Sequence, residues 1–128
     1  MKIRNILSTL MLLLATLPGM NVQAAEVRIA VAAEGSTADA AVSTVAARAP
    51  HILIFDAQGK LLSAQSNPAA RLSGGAGPAL ARWLAEQRVT LLLAGQVGGN
   101  MADEMTRLNI RAVSASGPAD KAVKAAAK

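Results

Sequence analysis

The chain has 128 residues, with 13 Lys and Arg against 8 Asp and Glu, a formal charge of +5, and only one Phe, one Trp and no Tyr. It has no cysteine and a single histidine, His51, which excludes disulfides, thiolate nucleophiles and thiolate metal ligands. Scattered arginines and the scarcity of aromatic rings argue against nucleic-acid binding by base stacking.

Residues 1–24 read as a secretory signal peptide. Lys2 and Arg4 precede an apolar run at 6–17, Pro18 and Gly19 break it, and Val22-Gln23-Ala24 ends on the small residue a signal peptidase reads. The run is shorter than the roughly 20 residues of a membrane span, so no stable span is expected after cleavage. An uncleaved anchor is the alternative. The expected mature chain is a single domain at 25–128, periplasmic or secreted. Without Lys2 and Arg4 it holds eleven basic residues against eight acidic ones, a balance of +3. About a hundred residues remain after cleavage, enough for one domain with a modest core.

The first predicted element is a strand at 26–33, EVRIAVAA, with Val27, Ile29 and Val31 on one face. Ser36-Thr37-Ala38-Asp39 has capping-box spacing and predicts a short helix through Ala47, against the β-branched Val42, Thr44 and Val45. A second strand follows at 51–55. Asp56-Ala57-Gln58-Gly59 is a turn, with Gly59 free to take positive φ, and 60–65 pairs back as a third strand. Asn67-Pro68 stops that strand.

The clearest helix is 78–88, PALARWLAEQR, with Pro78 at its first position and Leu80, Trp83 and Leu84 as the buried stripe. Residues 89–94, VTLLLA, are apolar almost throughout, as a central parallel strand requires. A glycine-rich turn leads to Asn100, which with Asp103 repeats the capping pattern; Met101, Met105 and Leu108 give the next helix its inner face. A last strand at 110–114 and an alanine-rich helix at 118–128, anchored by Val123, complete the chain. A hairpin followed by right-handed βα units predicts an α/β/α fold around a mixed sheet of order 3-2-1-4-5.

Two glycine runs open helices: Gly74-Gly75-Ala76-Gly77, and Gly95-Gln96-Val97-Gly98-Gly99. Free N–H groups at a helix start attract anions, and glycine lets a ligand approach the backbone. Tight strand-to-helix turns are the alternative, since neither run matches a Walker A loop or G-x-G-x-x-G. A serine nucleophile would depend on His51 as base, and no G-x-S-x-G elbow is present. Glu34, Asp39 and Asp56 are candidates to meet at the sheet edge. The same strand order serves metal-dependent nucleases, but those need acids on the first and fourth strands. Here those strands read VRIAVAA and VTLLLA, which excludes that chemistry. The chain is expected to be non-enzymatic.

The stretches RIAVAAEG, VSTVAARAPHILIFDAQGK, NPAARLSGGAGPALARWLAEQRVTLLLAGQVGGN and LNIRAV resemble the dinitrogenase iron-molybdenum cofactor biosynthesis family, from Val27 to about Val113. Arg48-Ala49-Pro50, the Gly-Ala-Gly-Pro helix start and the Ala-Gly-x-x-Gly-x-Asn turn carry it. The resemblance implies a ribonuclease H-like fold, a carrier of the nitrogenase cofactor or its precursor, and an iron-molybdenum or iron–sulfur cluster as ligand. Where the family reads His-Phe-Gly-Arg-Ala-Pro, this chain has Val45 at the histidine and His51 after the proline. Gly99 precedes Asn100 where proline is usual.

The expected function is an exported binding protein whose anionic or metal ligand sits among Glu34, Arg48, Gly95, Gly98, Gly99 and Asn100. Arg48 offers a planar fork to an anion; a solvated arginine or a salt bridge to Asp56 or Glu34 is its alternative. A lone imidazole at His51 is the candidate metal ligand. The alternative function is a protein-interaction module with a vestigial pocket, engaging a protein partner through the 60–65 edge or the exposed helix faces.

Overall fold

The computed structural model describes residues 27–127. The expected signal peptide at 1–24 lies outside the described residues. Strand β1 (Arg28–Ala33) is followed by a 3-10 turn (Ala46–Arg48), then β2 (His51–Asp56), β3 (Leu61–Ser66), α1 (Ala76–Glu86), β4 (Leu91–Ala94), α2 (Gly99–Arg107), β5 (Arg111–Ser114) and α3 (Ala119–Ala126). The strands form one five-stranded sheet in the expected order, β3-β2-β1-β4-β5. The hairpin strands pair antiparallel and β1, β4 and β5 run parallel.

Side-chain alternation sorts the sheet into two faces. Ala30, Ala32, Ile52, Ile54 and Leu92 pack against Leu80, Ala81 and Leu84 of α1 and against Met101 and Met105 of α2. Ile29, Val31, Leu53, Phe55 and Leu93 pack on the other face with Ala119 and Val123 of α3. The result is three layers, with two helices on one side and one on the other. Among the described residues no helix is long and apolar enough to cross a membrane.

The helix expected at 36–47 does not form. Thr37 donates its hydroxyl to the Asp39 carboxylate at 2.7 Å instead of closing a capping box. The segment is laid out as single bridges, Ala33 to Val42, Ala41 to Pro118 and Val45 to Gln96. Its β-branched residues fit these extended contacts better than a helix. Its carbonyls are also engaged elsewhere. Those of Ala38 and Ala40 accept the N–H groups of Asp120 and Ala119, the first turn of α3.

Three boundaries move for local reasons. Helix α1 starts at Ala76 from Gly75, whose φ of 70° suits glycine, so Pro78 is the third helical residue and still within the turn that lacks N–H partners. Gly98, not Asn100, is the N-cap of α2, and Asn100 is its second residue with no capping bond. Val89 and Ile110 are drawn out of their strands by helix closures. Val89 N–H reaches Leu84 C=O and Ile110 N–H reaches Met105 C=O, each the outer bond of a Schellman turn.

Candidate functional site

Register sets which residues share an end of the sheet. Ala33 pairs with His51, His51 with Ser66, and Ala94 with Ser114. Glu34, His51, Asn67 and Gly95 therefore lie at one end, together with the starts of α1 and α2. Asp56 pairs with Arg28 at the other end. The expected meeting of Glu34, Asp39 and Asp56 does not occur, because β2 runs antiparallel to β1. Among the described residues no group of three or more His, Asp or Glu side chains could hold a metal. His51 stands half-buried at the start of β2, between Ala33 and Ser66.

The glycines divide by function. A Cβ on Gly95 would lie 2.6 Å from the Thr44 carbonyl oxygen, so this glycine lets two backbones touch. Gly95 N–H donates to Ser43 C=O at 2.8 Å, and Ala46 N–H to Gln96 C=O at 2.9 Å, stitching the crossing segment to the end of β4. A Cβ on Gly77 would lie 2.7 Å from that of Met101, so the first turns of α1 and α2 are in contact. Gly98 and Gly99 are exposed, with open space where a side chain would stand. No side chain caps α1 or α2. Two helix starts, each with a partial positive charge, thus lie side by side.

Arg48 enters this end from the 3-10 turn, which packs on α1. Its side chain is exposed, and Nη1 donates to the carbonyls of Ala70 at 3.0 Å and Leu72 at 2.8 Å. The salt bridge to Asp56 or Glu34 is not formed. Glu34, also exposed, accepts a hydrogen bond from the buried Ser43 hydroxyl. Val45, at the position of the motif histidine, is 43% exposed, and Leu72, whose carbonyl accepts from Arg48, is 42% exposed.

Asn67 is the residue that sequence reasoning missed. It is 7% exposed, and its Nδ2 donates to Ala47 C=O at 3.1 Å and Ala49 C=O at 2.9 Å, on both sides of Arg48. Its Oδ1 accepts Ala69 N–H at 2.9 Å. The signal was present in Asn67-Pro68: an asparagine at a strand stop commonly bonds nearby backbone. Ser43 carried no comparable signal.

The family model described as "Dinitrogenase iron-molybdenum cofactor" matches residues 27–128. The apo form of the orange protein from Desulfovibrio gigas is similar at 30% identity and a TM-score of 0.71, over 76% of this chain and 83% of that one. A Thermotoga protein given as a putative NifB protein of the DUF35 family is similar at 25% identity and a TM-score of 0.66, over 77% of this chain and 85% of that one. Among curated proteins none matches the chain. With the family match spanning every described element, the chain belongs to the dinitrogenase iron-molybdenum cofactor family.

Proposed function

We propose that this chain is an exported, non-enzymatic carrier that holds an anionic metal cofactor or its precursor at the end of the sheet where α1 and α2 begin. The observation that carries the reading is the contact of two helix starts without side-chain caps, at the end of the sheet that also holds Arg48, whose guanidinium has no carboxylate partner among the described residues. Helix starts and a guanidinium favour negative charge. The chain has no cysteine, and His51 is its one imidazole, so its side chains supply little for direct ligation of soft metals. A cluster that brings its own sulfide or oxo ligands needs none: N–H donors hold those anionic atoms from outside. Gly98, Gly99 and Asn100 offer such backbone donors, and Glu34 marks the acidic margin of the same end. Export is supported by the charged, apolar and small-residue pattern of residues 1–24.

The test is anaerobic incubation of the mature protein with molybdate, ferrous iron and sulfide, followed by gel filtration and metal analysis. Molybdenum and iron should travel with the protein and fall about tenfold in Arg48→Ala. Metal retention no greater than that of an unrelated basic protein would end the proposal.

One observation favours a second reading, in which the pocket is vestigial and the protein binds another protein. All four residues of edge strand β5 are exposed, Val113 among them. Unpaired edges accept partner strands. Capture of a periplasmic partner by metal-free protein, lost in Val113→Lys, would support it.

A further inference from the structure

Arg48 is held by one nitrogen. Both of its hydrogen bonds, to Ala70 C=O and Leu72 C=O, leave from Nη1. A guanidinium carries five N–H donors in a rigid plane, so fixing Nη1 at two points sets the direction of the whole fork. Nε and Nη2 lie along the opposite edge and have no hydrogen-bond or ion-pair partner among the described residues. Two parallel N–H groups on that edge match an anion that presents two acceptor atoms side by side. Three of the carboxylates in the described residues are engaged by other groups. Glu34 accepts from Ser43, Asp56 closes its own turn through Gln58 N–H and Lys60 N–H, and Glu104 pairs with Arg82 and Arg107.

The acceptors of Arg48 are themselves held in place. Asn67 lies on the loop that supplies those carbonyls, and it takes the carbonyls of Ala47 and Ala49, the neighbours of Arg48. Asn67 N–H also donates to Pro50 C=O at 3.1 Å. Each loop thus sends one side chain across to two carbonyls of the other. The arrangement is a reciprocal clasp, and its only unused donors along the guanidinium point away from it. A free arginine loses much rotamer entropy when it grips a ligand; this one has surrendered most of it already.

We propose that the clasp makes the Nε–Nη2 edge of Arg48 a preoriented binding edge for tetrahedral dianions, with Asn67 as its positioning residue. The proposal rests on the carrier reading for its use in the cell, since such an edge would grip an oxo-bearing face of the cargo. Its detection is independent of metal uptake.

The experiment is nitrogen-15 NMR of the arginine side chains in the mature protein, titrated with sulfate, molybdate or chloride at constant ionic strength. The clasp predicts resolved, slowly rotating Nη1 protons for Arg48 before any anion is added. Sulfate and molybdate should shift the Arg48 Nε–H saturably, at least about tenfold more tightly than chloride. In Asn67→Ala that keeps a folded amide spectrum, the Nη1 signals should vanish and sulfate binding weaken about tenfold. Arg48→Lys, at an exposed position that does not endanger folding, should keep a folded spectrum and lose the preference for sulfate, read from the Ala70 and Leu72 amides. Equal response to chloride and sulfate, or an intact preference in Arg48→Lys, overturns the binding edge. Full sulfate affinity in folded Asn67→Ala overturns the positioning role. An intact sulfate response with no metal uptake would leave this inference standing and remove the carrier reading.

Discussion

The two ends of helices α1 and α2 are finished in opposite ways. At their C-termini the backbone closes on itself. Arg88 N–H reaches Ala85 C=O and Asn109 N–H reaches Thr106 C=O, the inner bonds of the two Schellman turns, with φ of 63° at Arg88 and 60° at Asn109. Arg28 Nη1 adds a bond to Gln87 C=O at 3.2 Å. At their N-termini no side chain closes either helix, glycines stand at the entry, and the two starts touch. The contrast teaches that spare hydrogen-bonding capacity of these two helices is not shared between their ends. It is collected at the end that also holds Arg48, and α3 sharpens the point, because its own start is closed by Ala38 and Ala40.

The largest effect is expected where the open end is tightest. Gly95→Ala drives a Cβ to 2.6 Å from the Thr44 carbonyl and should cost about 3 kcal/mol by urea denaturation. A cost near zero would mean that the crossing segment is not pinned as described. Next comes Asn67→Ala, which leaves the carbonyls of Ala47 and Ala49 without their donor and should cost about 2 kcal/mol in the same assay. At the closed end the sign reverses. Arg88→Gly relieves a left-handed residue and should raise stability by about 0.5–1 kcal/mol, with metal uptake unchanged. Asn109→Gly should gain less, since asparagine tolerates that conformation. Smallest of all is Gly98→Ala, which meets open space and should change stability by less than about 0.5 kcal/mol. Equal losses in Gly98→Ala and Gly95→Ala would erase the division between packing glycines and open ones.

Strand order was legible because hairpin and βα patterns are local and their crossovers have one hand. The Asp56-Ala57-Gln58-Gly59 turn was legible too, and Gly59 takes the positive φ it permits, 87°. The 36–47 segment misled for a physical reason. Its capping-box spacing describes local options, while several of its real partners, Gly117, Ala119 and Asp120, lie more than seventy residues away in sequence. Asp56 was misplaced by neglect of register, which the hairpin itself determines. Asn67 went unread as a clasp because its acceptors belong to a loop roughly twenty residues earlier. Arg48 was singled out as a fork, but nothing local reveals that one edge of the fork is already taken.

The bonds from Ala119 and Asp120 to Ala40 and Ala38 tie the fate of the last helix to a stretch near the beginning of the domain. Such a short, alanine-rich helix has little intrinsic persistence in water. Its amides and those of Val42, which donates to Gly117 C=O, should therefore exchange with solvent as one cooperative unit, opening and closing together. During synthesis that unit must wait for α3 to emerge, so the crossing segment becomes protected later than the sheet strands that precede α3.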